Sequence, residues 1–189
     1  MPKPPTIPTL DWQAIFEAGL PYAAWIETGE APENRQKMET LRQEQVLDPK
    51  VIAYLPRMPK RVYVIAIAED WCGDVVRHVP VLQKIAEATP NLAVRFITRE
   101  QRPDVFVRFL TNGGEAIPKF IFLSDNWVEV GSWGPMPSTC RELIAKGKAC
   151  ADVASARKKV SAAYAADAER RVVVKELVEM LELAATTEI

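Results

Sequence analysis

The sequence predicts an α/β fold, with a central mixed β-sheet in the chain order β-α-β-α-β-β-α flanked by helices. An apolar strand pattern at 61–68, a helix-then-strand pattern over 74–97 and a hairpin pattern over 119–133 carry this prediction. Helical extensions are expected on both sides of the core. Within one compact domain, the predicted N-terminal extension, core and C-terminal extension are residues 1–60, 61–147 and 148–189.

The region before residue 60 is expected to form short helices. Most of the fifteen prolines lie there, and proline interrupts long elements. Apolar residues recur at helical spacing around Trp12, and again between Pro32 and Pro49. These helices are expected to pack on the core that follows them.

The first half of the core reads as strand, helix, strand. RVYVIAIA at 61–68 is apolar on both alternations, as in a central strand that is covered on both faces. Apolar residues then recur at helical spacing over 74–88, with charged residues on the other side, and AVRFI at 93–97 is a second strand. Such a unit predicts a right-handed parallel crossover.

The second half of the core reads as a helix, a hairpin and a further helix. RPDVFVRFLTNGG at 102–114 has a proline near its start and ends in Gly-Gly, which predicts a short helix. KFIFL and WVEVGSW, at 119–123 and 127–133, are separated by Ser-Asp-Asn and predict an antiparallel hairpin. Residues 138–146 predict the last core helix.

The C-terminal extension is expected to be helical because the chain beyond Cys150 has no glycine or proline. A change of apolar phase near 167–171 predicts two helices rather than one. They either cover the flank of the sheet or the N-terminal extension, or form a homodimer or partner interface. The residues for that second alternative are Val173, Leu177, Met180 and Leu181.

Composition narrows the function classes. The formal net charge is −1, with no basic or acidic region, so neither nucleic acid nor an anionic membrane is expected as a partner. The start of the chain has no signal-peptide pattern, and a cytoplasmic protein is expected. Three cysteines are too few for a disulfide framework or a four-ligand zinc site, so free thiols and no cofactor are expected.

Four features of the core point to a known family. They are Trp71-Cys72-Gly73 at the first strand-to-helix turn, Pro80 in the next helix, Ile117-Pro118 before the third strand, and Gly131 late in the fourth. With the order of elements, they resemble the thioredoxin family over roughly residues 60–147. The phrases AEDWCGD, LTNGGEAIPK and WGPMP resemble a bacterial branch of thioredoxin-like proteins.

Departures from the family pattern bear on activity. The resemblance implies that Cys72 is the nucleophile, but Val75 stands where the family has its second cysteine and Asp74 where it has proline. The buried acid of the family corresponds to Ala66. Intramolecular dithiol exchange is therefore expected to be absent.

The reactivity of Cys72 is expected to be moderate. A helix N-terminus stabilises a thiolate by about 0.3–1 kcal/mol, whereas the nearby Asp74 acts in the opposite sense. Cys72 is either a small buried residue that fits a tight turn or an exposed thiol that forms mixed disulfides. Cys140 is a conceivable resolving thiol, and Cys150 is expected to be an inert helix residue.

The resemblance also implies a peptide-binding groove. A cis Ile117–Pro118 bond would direct the backbone of Ile117 towards an extended peptide. Trp71 and Trp133 are expected to flank this groove. The other predicted binding residues are Gly73 and Asp74.

The single histidine, His78, is expected to be a surface group rather than a metal ligand. Asp70, Cys72, Asp74 and His78 have no recognised ligand spacing, so no metal site is expected. Two functions remain open. One is a monothiol redox protein with a protein or small-thiol partner at the Cys72 and Pro118 face. The other is a redox-inactive peptide- or protein-binding module with the same fold.

Overall fold

The computed structural model describes residues 7–187 and contains one mixed four-stranded sheet within that range. The spatial order of the strands is β2-β1-β3-β4. β1 is parallel to β2 and antiparallel to β3, and β3 is antiparallel to β4. The strands are β1 Val62–Ile67, β2 Leu92–Ile97, β3 Lys119–Leu123 and β4 Glu129–Trp133. The predicted mixed α/β sheet is confirmed.

Helices surround this sheet. Four of them precede it: α1 Trp12–Ala18, α2 Tyr22–Glu27, α3 Pro32–Glu44 and α4 Pro49–Tyr54. The core contains α5 Gly73–Glu87, α6 Pro103–Phe106 and α7 Ser138–Ala149, and the chain ends with α8 Val153–Ala166 and α9 Arg171–Thr186. Residues 1–6 of the predicted N-terminal extension and 188–189 of the C-terminal extension lie outside the described range.

The second core helix, α6, is shorter than the sequence pattern suggests. α6 has only four residues and continues as a 3-10 turn over Val107–Phe109. Leu110 then adopts an extended backbone, and Thr111 and Gly114 form a small bridged turn. The chain therefore leaves the helix before the Gly-Gly pair that was expected to end it.

The core lies on both faces of β1 and β3. Each residue of β3 is buried, and β1 is buried except for the partly exposed Tyr63. On one face, α5 contributes its apolar stripe, including Val75, Val79 and Leu82. A run of apolar residues on both alternations therefore marks strands with covered faces.

The N-terminal extension packs on the edge strand β2. Trp25 stacks on Phe96 with ring centroids 4.5 Å apart, and its indole N–H donates to the carbonyl of Ala68. The backbones of Leu20 and Phe96 exchange two hydrogen bonds, of 2.9 and 2.8 Å. The extension thus joins the sheet as well as the core.

The C-terminal helix α9 packs against α5 and the sheet. Val173, Leu177 and Leu181 are almost fully buried within the chain, and Met180 is partly buried beside Gly131. These four residues therefore pack against the sheet and α5 within the chain, as the first of the two alternatives predicts. No helix in residues 7–187 combines the length and apolarity needed to cross a membrane.

Candidate functional site

Cys72 lies at the end of the turn that joins β1 to α5 and is the N-cap residue of that helix. It is partly exposed, and its Sγ lies 3.4 Å from the carbonyl oxygen of Ile117, to which the thiol donates. Cys72 and Ile117 also line an open cavity of about 270 Å³. The structure therefore brings the predicted nucleophile to the loop before β3 and to a space that a ligand can enter.

Burial is the largest influence on the Cys72 thiol. It raises the pKa of Cys72, because a thiolate loses solvation there. The backbone N–H groups of Asp74 and Val75 lower that pKa, while the carboxylates of Asp74 and Glu69 raise it. The net direction is upward, so the fraction of thiolate at neutral pH is small. The sequence shows the helix N-terminus and the carboxylates, but not the burial of the thiol, which has the larger effect on its pKa.

Asp74 lines the same cavity, and its carboxylate is hydrogen-bonded to the C-terminal extension. The Tyr164 hydroxyl, on α8, donates to Asp74 Oδ1 at 2.8 Å and lies 3.2 Å from His78 Nε2. Burial raises the pKa of Asp74, and the bond from Tyr164 lowers it. Because the Tyr164 proton goes to the carboxylate, the neutral His78 donates from Nε2 to the Tyr164 oxygen.

His78 is not the surface group that the sequence suggested. Its side chain is 0% exposed, and burial lowers its pKa to about 3. Its ring meets Trp133 and Tyr164 edge-to-face, with centroids 5.3 and 5.5 Å away. The reason is tertiary: Tyr164 of α8 and Trp133 of β4 pack on this face of α5. The Tyr164 hydroxyl bonds both His78 and Asp74, whose nearest side-chain atoms are 3.9 Å apart.

The turn before Cys72 is anchored by the N-terminal extension. The buried Asp70 carboxylate accepts from the backbone N–H of Ala31 at 2.7 Å, and its carbonyl accepts from the Asn34 amide at 2.9 Å. Gly29 packs so closely on Asp70 that a β-carbon there would overlap the carboxylate. The position of Cys72 thus depends on residues far upstream of the core.

The exposed Trp71 forms one rim of the cavity. Its side chain is 55% exposed, and the Arg99 guanidinium stacks over the ring at 5.3 Å. Arg99 is itself paired with Glu69 at 3.0 Å and Glu115 at 2.9 Å. Trp71 is therefore available to a ligand. Its ring is held in place by Arg99, whose charge is already balanced by the two glutamates.

The loop that faces Cys72 contains Pro118. The Ile117–Pro118 and Gly134–Pro135 peptide bonds are both cis. Pro118 is buried, and Gly134, at φ 116°, packs against its carbonyl oxygen so closely that a β-carbon would overlap it. The Lys119 ammonium and the Arg141 guanidinium both donate to the carbonyl of Gly134, at 2.9 and 3.0 Å. Burial lowers the pKa of Lys119 to about 8.

Three of the predicted binding residues, Trp133, Gly73 and the buried Pro118, do not line this cavity. Trp133 is 3% exposed, stacks on Phe120 and donates from its indole N–H to Glu176 at 2.6 Å. It packs in the core instead of flanking the groove. Gly73 is exposed at the first position of α5, with open space around it, but the cavity wall is formed by its neighbours Cys72 and Asp74.

The other cysteines lie in different environments. All three are free thiols; Cys140 is buried at 2% exposure, and Cys150 is exposed at the end of α7. Val75 and Ala66, at the positions of the family's second cysteine and buried acid, are fully buried. Within residues 7–187 no group of three histidine, cysteine or acidic side chains could hold a metal ion.

Several residues around the cavity were missed by sequence reasoning. Tyr164 is ninety positions from Asp74 and no local pattern joins them. On α7, Arg141, Ile144 and Lys148 all line the cavity. Their i, i+3, i+7 spacing places them on one face of α7, and this face can be predicted from the sequence. The sequence does not show that the face lies opposite Cys72.

Comparisons with known proteins agree with this architecture. A family model described as thioredoxin matches residues 19–155, from the N-terminal extension into α8. A search of curated proteins finds no match. A solved protein of unknown function from Pseudomonas aeruginosa has a TM-score of 0.65 at 18% identity, covering 90% of this chain and 99% of its own. An HIV epitope scaffold has a TM-score of 0.62 at 20% identity, covering 69% and 81%. At these identities the two structures show the shared fold.

Proposed function

The chain belongs to the thioredoxin family, and from this premise we propose that it is a redox protein acting through one cysteine, Cys72. The observation that supports the proposal best is the position of its Sγ. The sulfur lies at the start of α5, 3.4 Å from the Ile117 carbonyl oxygen, on the wall of an open cavity. The partner is a small thiol or a protein, and the proposed compartment is the cytoplasm, where external thiols are available.

The proposed reaction is thiol-disulfide exchange in two steps. The Cys72 thiolate attacks one sulfur of a partner disulfide, the Cys72–partner disulfide forms, and the other half of the partner leaves as a thiolate. A thiolate from the surrounding pool then attacks the partner sulfur of the adduct and releases Cys72. The first step reduces the partner disulfide, and the pool thiol supplies the electrons that restore Cys72.

The buried Val75 determines how the adduct is released. Because no sulfur stands there, the adduct cannot be resolved within this motif, and release depends on a second molecule. The raised pKa of Cys72 makes it a slow nucleophile at neutral pH and a poor leaving group. The proposed protein therefore forms long-lived mixed disulfides rather than turning over rapidly.

The test uses Cys150→Ser, called here the background protein, because Cys150 is exposed. Incubation with a small disulfide, followed by intact mass measurement, is expected to add one half-disulfide to the background protein. Cys72→Ser in the same background is expected to add none. Equal labelling of both proteins, or equal partner capture from an oxidised lysate, would refute the proposal. Insulin reduction with dithiothreitol as electron source is expected to be negligible, and clear turnover would contradict the role given to Val75.

A second candidate is a binding module without redox turnover. The specific observation in its favour is that burial raises the pKa of Cys72, which disfavours the reactive thiolate. A partner would then occupy the same cavity through Trp71, Asp74 and the Ile117–Pro118 loop. This candidate predicts a thiol that stays unalkylated up to about pH 9. It also predicts that Cys72→Ser retains its partner under reducing conditions, whereas the redox proposal predicts that the partner is lost.

A further inference from the structure

The cavity beside Cys72 carries two cations that the exchange step does not use. Arg141 and Lys148 lie on the face of α7 that forms one wall, with Ile144 between them. Seven residues of helix separate their positions by roughly 10 Å along the axis. Cys72 lines the same cavity, so this wall is placed to contact the part of a ligand that does not react.

Neither cation is neutralised by the protein. Within residues 7–187, neither Arg141 nor Lys148 has a carboxylate oxygen within 4.0 Å. Arg141 donates one N–H to the carbonyl of Gly134, which leaves its charge unbalanced. By contrast, Arg99 in the same cavity is paired with two glutamates. The α7 wall therefore offers positive charge to a ligand.

An unpaired hydroxyl lies at one end of the same wall. Thr111 lines the cavity, and its Oγ1 is buried without a hydrogen-bond partner in the described part of the chain. Lys148 Nζ reaches this turn, since a β-carbon built on Gly114 would lie 3.9 Å from it and 3.5 Å from the Thr111 carbonyl oxygen. An ammonium beside this turn suits a carboxylate oxygen.

We propose that the cavity selects carboxylate-bearing disulfides and their thiols, with Arg141 and Lys148 binding the carboxylates. This inference rests on the proposed exchange at Cys72 and names its substrate class. Asp74 lines the cavity as well, and its negative charge disfavours an anion near itself. The anionic groups of the ligand are thus directed to the α7 wall while its sulfur faces Cys72.

The expected selectivity is moderate. One partly exposed ion pair with the ligand is expected to change the rate of exchange at Cys72 by a factor of about two to five. The two cations together are therefore expected to favour a carboxylate-bearing disulfide about tenfold. Their effect weakens with ionic strength, because salt screens charges at the mouth of an open cavity. A purely apolar preference, through Ile144 and Trp71, would not show this salt dependence.

The experiment compares two chromogenic disulfides on the background protein. One is 5,5′-dithiobis(2-nitrobenzoate), which carries two carboxylates, and the other is the neutral 4,4′-dithiodipyridine. The measured quantity is the ratio of their second-order rates with Cys72, with the Cys72→Ser protein as the blank. In Arg141→Gln/Lys148→Gln this ratio is expected to fall about tenfold at low salt.

A matched variant controls for net charge. Lys146→Gln/Lys158→Gln removes the same charge from two exposed lysines that do not line the cavity, and its ratio is expected to stay at the background value. Lys148→Gln alone keeps the bond from Arg141 to Gly134, and is expected to lower the ratio by about threefold. An unchanged ratio in both cavity variants would overturn the inference alone. A background protein in which Cys72 reacts with neither disulfide would overturn the proposed function, and the inference with it.

Discussion

Tyr164→Phe removes one hydroxyl that joins the C-terminal extension to the candidate site. In the native protein this hydroxyl donates to Asp74 and accepts from His78. The phenyl ring can keep its packing on His78 and beneath the Arg77 guanidinium, which lies 4.4 Å from the ring centroid. The substitution therefore isolates two hydrogen bonds in a buried setting.

The magnitude follows from the two partners. A hydrogen bond to a charged group contributes about 1.5–3 kcal/mol, and the 2.8 Å bond to the Asp74 carboxylate is of this kind. The bond of 3.2 Å to His78 is neutral and contributes about 1 kcal/mol. The expected loss of unfolding free energy is about 3 kcal/mol, or a fall of about 6–12 °C in Tm for a chain of this length.

The loss is expected to depend on pH. Burial raises the pKa of Asp74 in the folded state, so its charged form is the costly one, and wild-type stability improves as pH falls through that raised pKa. Without the Tyr164 hydroxyl, the buried Asp74 carboxylate destabilises the folded state further. The protonated Asp74 carboxyl loses less, because a neutral carboxyl gains less from the hydrogen bond. The destabilisation is therefore largest above the folded pKa of Asp74 and shrinks below it. His78, with a pKa of about 3, stays neutral throughout.

Urea unfolding at about pH 8 and at about pH 4, near the ordinary pKa of aspartate and so below the raised one, measures this difference. Tyr63→Phe is the control, because its hydroxyl has no hydrogen-bond partner within residues 7–187, and it is expected to change stability by less than about 0.5 kcal/mol. A Tyr164→Phe protein as stable as the control, or one equally destabilised at both pH values, would show that the hydroxyl does not stabilise a buried carboxylate.

Three further outcomes are expected. Asp74→Asn should move the pH profile of Cys72 alkylation in the background protein to lower pH, since the carboxylate raises the pKa of that thiol; an unmoved profile would contradict the charge assignment. Gly134→Ala should destabilise the fold by more than about 2 kcal/mol in urea, through overlap and positive φ together, whereas Gly113→Ala, with positive φ but open space, should cost about 1 kcal/mol. Asp70→Ala should cost about 1–3 kcal/mol and speed proteolysis of the segment between α2 and α3; unchanged cleavage there would argue against the anchor.

The sheet could be predicted because its signals are local. The two strands of the hairpin and the strand before Cys72 carry apolar patterns that covered faces require, and a proline and glycines mark their ends. The observed strand boundaries differ from the expected ones by a residue or two, as frayed element ends do. The family resemblance placed Cys72 and Pro118 in one region from motif residues that are far apart in the chain.

The surroundings of the site could not be predicted, because they depend on where the extensions pack. His78 has the sequence context of a surface residue and is buried because Tyr164 of α8 and Trp133 of β4 pack against it. Trp133 ends a strand near the motif, but its ring turns into the core towards Glu176. The pKa of Cys72 likewise depends on burial, which no local pattern reports. Long-range packing, rather than propensity, decides these three residues.

The pair of backbone bonds between Leu20 and Phe96 has a consequence for self-association. An outer strand with unpaired N–H and C=O groups is a template on which a second molecule can extend the sheet. Here the chain's own extension pairs with Phe96 near the end of β2, so a strand that pairs along the whole of β2 must first displace residue 20. Growth of a shared sheet through this side is thereby hindered, and β4 is left as the outer strand without such a pairing in the described part of the chain.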